Sequence, residues 1–193
     1  VHENGPASLE VVERIFQTGN GASREEVISY WQKSLQERSA GAWGESYRGQ
    51  YELALENFKE TVKHFSSSED PKALCEKMTE FWYNPEIFED TKWFMEKVPL
   101  PVYFVTNSDD CFITEAIRKY DLRPAGIITS QKAKCSKPAK GIFLYALEQA
   151  GLVPEEVIHA GDSLAGDVES PSSVGIRAVG MKRKNKPVPQ GVE

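Results

Sequence analysis

The sequence has no apolar run approaching the roughly 20 residues that a bilayer-spanning helix needs, so no membrane partner is expected. Its opening residues, Val1 to Pro6, are polar and acidic and do not read as a secretory signal. Cysteine is scarce: Cys75, Cys111 and Cys135. The number is odd, no two form C-x-x-C, and no histidine stands nearby at zinc-ligand spacing. A disulfide scaffold and a zinc site are therefore not expected, and a reduced, cytoplasmic compartment is. Histidine occurs only as His2, His64 and His159. The nearest approach to a Gly-rich loop, Gly19-Asn20-Gly21, follows no strand, which argues against a dinucleotide site. Positive charge is in deficit, with 23 Lys and Arg against 29 Asp and Glu. That net charge of −6 argues against a nucleic-acid partner. Two basic clusters run against the trend. One is Lys132, Lys134, Lys137 and Lys140; the other is Lys182, Arg183, Lys184 and Lys186.

What is present divides into two halves. The first reads as helix throughout. Val11-Val12 lies in a helix-like stretch from Ser8 to Phe16. Ser23 and Glu26 form a capping box before Val27, Ile28, Tyr30, Trp31 and Leu35, which recur on one helix face. A further helix is predicted from about Gln50 to Phe65. Asp70-Pro71 supplies an N-cap and a proline at the first helical position. Asn84-Pro85 repeats that device before a last helix from Ile87 to Lys97. The tryptophans Trp31, Trp43, Trp82 and Trp93 are expected in the helical core. After Pro99 and Pro101 the pattern changes. Strands are predicted at 102–105, 126–129, 156–161 and 176–179, with helices at 111–120, 138–150 and, more weakly, 164–174. Continuous apolar strands between helices specify an α/β, Rossmann-like parallel sheet with helices on both faces. The domain reading is 1–95 helical and 96–193 α/β.

In such sheets ligands bind beyond the carboxyl ends of the strands. The residues expected there are Thr106 and Asn107 after the first strand, Lys137 before the 138–150 helix, and Asp162 and Asp167 after the third strand. A hydroxyl, an amide, a lysine and two carboxylates on one rim suit a phosphate and a divalent cation. Lys137 acts as a flexible point charge. The carboxylates are hard oxygen ligands of the kind Mg²⁺ prefers. Asp109 and Asp110 are assigned to the dipole of the helix they begin, and His159 to packing.

These segments resemble motifs II, III and IV of the haloacid dehalogenase-like hydrolase superfamily. Motif II corresponds to Val102–Thr106 with Asn107. Motif III corresponds to Lys137-Pro138, running on into Ile142-Phe143 and Ala146-Leu147. Motif IV corresponds to Asp162 and Asp167. The helical first half is similar to the small cap that many members insert between motifs I and II. The resemblance implies a Mg²⁺-dependent phosphatase or phosphomutase acting on a small phosphorylated metabolite through an aspartyl-phosphate. In that frame Thr106 and Lys137 are catalytic, Asn107 binds substrate, and Asp162 and Asp167 hold the metal. Asp167 has an alternative role as an anchor for Lys137.

One motif is missing. The family's nucleophile comes from Asp-x-Asp at the end of the central first strand. No two of the seven aspartates here (70, 90, 109, 110, 121, 162 and 167) stand two positions apart. The expectation is an N-terminally incomplete chain whose central strand is absent. As given, it should show no phosphatase activity and bind Mg²⁺ weakly. Residues 102–106 should then pair with 126–129, and 157–161 with 176–179. The strands ending at Thr106 and Gly161 should run parallel but roughly 9–10 Å apart, two strand spacings, and the open sheet should favour self-association. The alternatives are a phosphate-binding or regulatory relative without turnover, and a haloacid dehalogenase, although dehalogenases replace the metal-binding Asp of motif IV. Gly161-Asp162-Ser163-Leu164 also spells the signature of a serine hydrolase class. That chemistry needs a histidine after the motif, and there is none.

Overall fold

The computed structural model describes residues 6–41 and 43–181. The basic cluster Lys182, Arg183, Lys184 and Lys186 lies outside the described residues, as does His2.

The helical half comprises α1 (Pro6–Thr18), α2 (Arg24–Gly41), α3 (Gln50–His64), α4 (Pro71–Tyr83) and α5 (Asp90–Lys97). Their starts follow local chemistry. Ser23 Oγ accepts the Glu26 N–H at 3.2 Å, while the Glu26 carboxylate reaches past Ser23 to the Ala22 N–H at 2.6 Å. Asp70 accepts the Lys72 N–H at 3.1 Å, with Pro71 as the first helical residue. Asn84-Pro85 does not open a helix as the sequence reading expects. Asn84 closes α4, donating its N–H to the Glu80 and Phe81 carbonyls, and α5 begins only at Asp90. Pro85 has no N–H to donate and drives its predecessor out of the helical region; Asn84 sits at ψ 49°.

The apolar faces of α1 to α4 meet in one core that includes Val11, Ile15, Val27, Trp31, Phe58, Phe65 and Leu74. A fully buried side chain such as Phe58 contributes about 2–3 kcal/mol by leaving water. The tryptophans divide. Trp31 is buried and Trp82 packs at the edge of this core, but Trp43 and Trp93 are 65% and 63% exposed. Both of the latter stand outside the four core-forming helices, Trp43 after the end of α2 and Trp93 on α5.

The α/β half carries β1 (Tyr103–Thr106), β2 (Gly126–Thr129), β3 (Ile158–Gly161) and β4 (Arg177–Gly180). They form two separate parallel pairs. β1 runs beside β2 with Tyr103 opposite Gly126 and Thr106 opposite Thr129. β3 runs beside β4 with Ile158 opposite Arg177 and Gly161 opposite Gly180. This is the local pairing expected from the sequence, and no ladder joins β1 to β3. Gly126 is required by its neighbour, because a Cβ there would stand 2.6 Å from the Tyr103 ring. The crossovers are α6 (Asp110–Tyr120), between β1 and β2, and α7 (Ser130–Ala133) with α8 (Gly141–Ala150), between β2 and β3. Helix α8 starts later than Pro138. Residues 164–169 wind as a π-helix that passes into the short α9 (Ser170–Ser172). A second core collects Ile128, Ile142, Phe143 and Ile176.

Aromatic packing and a helix cap are among the contacts that fasten the halves together. The Trp82 and Tyr83 rings pack on Phe112 of α6, with centroids 5.3 and 4.8 Å away. The buried Asp109 carboxylate accepts the Gln50 N–H at 2.9 Å and the Tyr51 N–H at 3.4 Å. Asp109 thus caps α3, a helix 59 residues upstream, instead of serving only its own helix α6. Asp109→Ala should therefore cost about 1 kcal/mol, the usual worth of an N-cap. Urea unfolding should show a lowered midpoint, and Asp109→Asn should recover most of it. An unchanged midpoint in the alanine variant would remove the cap from the account.

Candidate active site

The carboxyl ends of β1 and β3 are bridged by side chains from the Lys137 loop. Asn107, one residue beyond β1, uses both amide atoms on the backbone of a single residue. Its Oδ1 accepts the Lys137 N–H at 2.7 Å, and its Nδ2 donates to the Lys137 carbonyl at 3.0 Å. The Lys137–Pro138 peptide bond is cis. From that clamped backbone the lysine crosses to the β3 side, where Nζ lies 2.6 Å from Asp167 Oδ1. Gly166 lies beside it, and a Cβ there would crowd Ser163 Oγ at 3.0 Å.

Asp167 is fully engaged. Oδ1 takes Lys137 Nζ and His159 Nε2, the latter at 3.1 Å, and Oδ2 accepts the Ser163 N–H at 3.1 Å. The Asp167 N–H returns to the Ser163 carbonyl at 2.7 Å. Burial alone would raise this carboxyl's pKa. The His159 hydrogen bond, the Lys137 charge and the Ser163 N–H outweigh burial and hold the pKa well below the carboxylate range. An ionised carboxylate only accepts, so His159 Nε2 carries a proton. Gly161 completes the fit, because any Cβ there would run into the Asp167 carboxyl carbon.

Of the sequence-predicted residues, Asn107, Lys137 and Asp167 are brought into one bonded chain. Thr106 adjoins it at the end of β1. Its Oγ1 accepts the Ser108 N–H at 3.1 Å, which leaves the hydroxyl proton to donate. Asp162 is exposed and makes no hydrogen bond or ion pair among the described residues. The two expected metal carboxylates thus differ. Asp167 is the anchor of Lys137, with no oxygen left idle, and Asp162 is the carboxylate open to a cation. Asn107 likewise holds the lysine loop, so its amide is occupied where a substrate-binding role was expected. Among the described residues, no three His, Cys, Asp or Glu side chains converge as a ready metal cage.

The sequence reading missed two participants. His159 was assigned to packing, and its ring does rest edge-on against Phe143 at 4.9 Å. The strand period of two places it on the same face as Gly161, which lies under Asp167. That period was a usable signal. Tyr47, whose hydroxyl lies 2.9 Å from Ser130 Oγ, has no such signal, because it falls in a connection between two helices.

Comparison with known proteins gives a consistent picture. The profile of the haloacid dehalogenase-like hydrolases matches residues 4–175. Haloacid dehalogenase-like hydrolase domain-containing protein 3 of Danio rerio is 39% identical over 59 residues, covering 31% of this chain and 24% of the relative. The matched stretch thus spans about a quarter of that relative's length. Among solved structures, a dehalogenase superposes with a TM-score of 0.73 at 21% identity, over 93% of this chain and 80% of its own. The HAD-hydrolase YfnB from Bacillus subtilis, bound to magnesium, gives 0.72 at 19% identity, over 95% and 85%. A HAD phosphatase from Thermococcus onnurineus gives 0.57 at 23% identity, over 94% and 80%. At these identities the structural likeness speaks for the fold alone.

Proposed function

This chain belongs to the haloacid dehalogenase-like hydrolase family, and from that premise we propose that it carries the phosphate-binding part of a Mg²⁺-dependent phosphatase for a small phosphorylated metabolite. The observation that supports this is the bonded chain Asn107–Lys137–Asp167, with the free Asp162 carboxylate beside it. Lys137 offsets phosphoryl charge from a position fixed before substrate arrives. Thr106 donates its hydroxyl proton to a phosphoryl oxygen. Asp167 keeps the lysine aimed. Asp162 would hold Mg²⁺, with water and further carboxylates completing its ligands; bound there, the ion acts as a Lewis acid. The helical half, residues 1–95 in this reading, serves as a cap that excludes water and selects the leaving group.

The attacking carboxylate is assigned to an Asp-x-Asp strand lying between β1 and β3. The unjoined sheets leave those two edges without a shared ladder. Attack on phosphorus breaks the bond to the leaving alcohol, which takes up a proton, and water then cleaves the acyl phosphate. Phosphomutase activity follows if a second hydroxyl replaces that water. Without such a strand, the 193 residues bind phosphate or a phosphorylated ligand and do not turn it over, and the exposed edges promote self-association. The protein is read as cytoplasmic, a reading that its three free cysteines support.

The test is a phosphomonoester screen on protein made with the coding sequence upstream of Val1 included. Turnover with Mg²⁺ is expected, and Asp162→Asn should raise the Mg²⁺ requirement about 10-fold or more. An upstream Asp-x-Asp with no turnover of any phosphomonoester would overturn the phosphatase reading. Release of halide from 2-haloacids without Mg²⁺ would put the dehalogenase reading in its place.

A further inference from the structure

The connection between α2 and α3 is tied to the Lys137 loop at several points. The Gly44 N–H donates to the Lys134 carbonyl at 2.8 Å. The Lys134 ammonium lies 5.1 Å from the centre of the Tyr47 ring. The Tyr47 hydroxyl is 2.9 Å from Ser130 Oγ, and Ser130 Oγ donates to the Asn107 carbonyl at 3.0 Å. Ser130 is fully buried. A serine hydroxyl has one proton, and here it goes to Asn107. The hydrogen bond from Tyr47 is therefore donated by the phenol. Burial raises the Tyr47 pKa, which keeps the phenol protonated and able to donate.

Followed onward, the bonds form a continuous series from the helical half to the ammonium group. Tyr47 holds Ser130, Ser130 holds the Asn107 backbone, the Asn107 amide grips the Lys137 peptide, and Lys137 reaches Asp167. We propose that Tyr47 is a positioning residue for Lys137, acting through Ser130 and Asn107. Docking of the 44–49 connection thereby sets where the lysine stands. Tyr47 polarises Ser130 toward the Asn107 carbonyl, and the later links are mechanical, so loss of the first loosens those behind it. The inference leans on the proposed function only in naming Lys137 as the anion-binding group. The position of the lysine can be read without any turnover.

The experiment is competitive acylation of lysines at low reagent dose, read by mass spectrometry on the 193-residue chain. In Tyr47→Phe, acylation of Lys137 should rise roughly 3- to 10-fold, the equivalent of one lost hydrogen bond. Lys119, remote from the series on α6, serves as the internal reference and should not change. Ser130→Ala should give the same rise, and the double variant should be no faster than either single one, as expected for members of one series. An unchanged Lys137 rate in Tyr47→Phe would overturn the proposal. So would a parallel rise at Lys119, which signals general loosening, or multiplicative effects in the double variant. If Ser130→Ala does not fold, Tyr47→Phe alone decides, since it deletes one exchangeable group and leaves the ring. Binding of inorganic phosphate to the wild-type chain reports separately on the proposed function, so the two readings fail independently.

Discussion

Asp167→Ala is expected to destabilise the chain by about 3 kcal/mol, because it strips a buried ion pair of one partner. Asp167 and Lys137 side chains are only 7% and 18% exposed, so water cannot readily replace the carboxylate. The His159 Nε2 proton and the Ser163 N–H lose their acceptor in the same change. Asp167→Asn keeps one acceptor but leaves Lys137 equally without its counter-charge, so it should cost somewhat less than Asp167→Ala. The pH dependence separates charge from hydrogen bonding. A carboxyl whose folded pKa is held low contributes its full stability above the ordinary carboxylate value of about 3.9. That contribution is lost as the pH falls below this value toward the depressed folded pKa. Wild-type unfolding free energy should therefore fall through the acid range, and Asp167→Asn should remove part of that slope. Parallel wild-type and Asn curves between pH 5 and pH 2 would mean that the charge on Asp167 contributes nothing.

Phe143→Ala should cost about 3–5 kcal/mol, through lost apolar burial and the cavity left behind. Phe143 is 1% exposed and sits in the α/β core with Ile128, Ile142 and Ile176. It also supports His159, whose ring stands edge-on at 4.9 Å. The loss should therefore reach the site as well as the fold. Phe143→Leu, which refills most of the space, should recover more than half of the stability. The two variants are distinguished by thermal unfolding, and a melting temperature for Phe143→Ala within a degree of wild type would contradict the packing account.

How much of this was legible in the sequence depends on the range of the interaction concerned. Helix starts at Ser23 and Asp70 are written locally, because the capping atoms lie within four residues of the groups they satisfy. The strands were legible from short β-branched runs, and their pairing from the order of elements. Thr106, Asn107, Lys137, Asp162 and Asp167 were legible as a set because all follow strands or open a crossover. Their division of labour was not. Asp167 and Asp162 are the same residue type five positions apart, and only the π-turn at 164–169 folds one inward onto Lys137 and leaves the other exposed. Asp109 capping α3 and Tyr47 bonding Ser130 span 59 and 83 residues, and no local pattern encodes a contact of that reach. Asn84-Pro85 misled because the same dipeptide that can begin a helix also ends one. Which it does depends on the helix already running into it.

The two unjoined sheets carry a consequence for how the chain assembles. Tyr103 meets Gly126 and Ile158 meets Arg177, so the strands find their partners across connections of 19 residues (107–125) and 15 residues (162–176). Closing loops of such similar length costs nearly the same entropy, and neither sheet must wait for the other. Each is a pairing of low contact order; the first takes α7 and α8 against it, the second the helical turns at 164–172. The alignment of one unit against the other is then not inherited from a backbone ladder. It rests on side chains: the shared core of Ile128, Ile142, Phe143 and Ile176, and the reach of Lys137 from the loop after β2 to Asp167 beyond β3. The lysine proposed to meet the phosphate thus also helps to hold the two units in register.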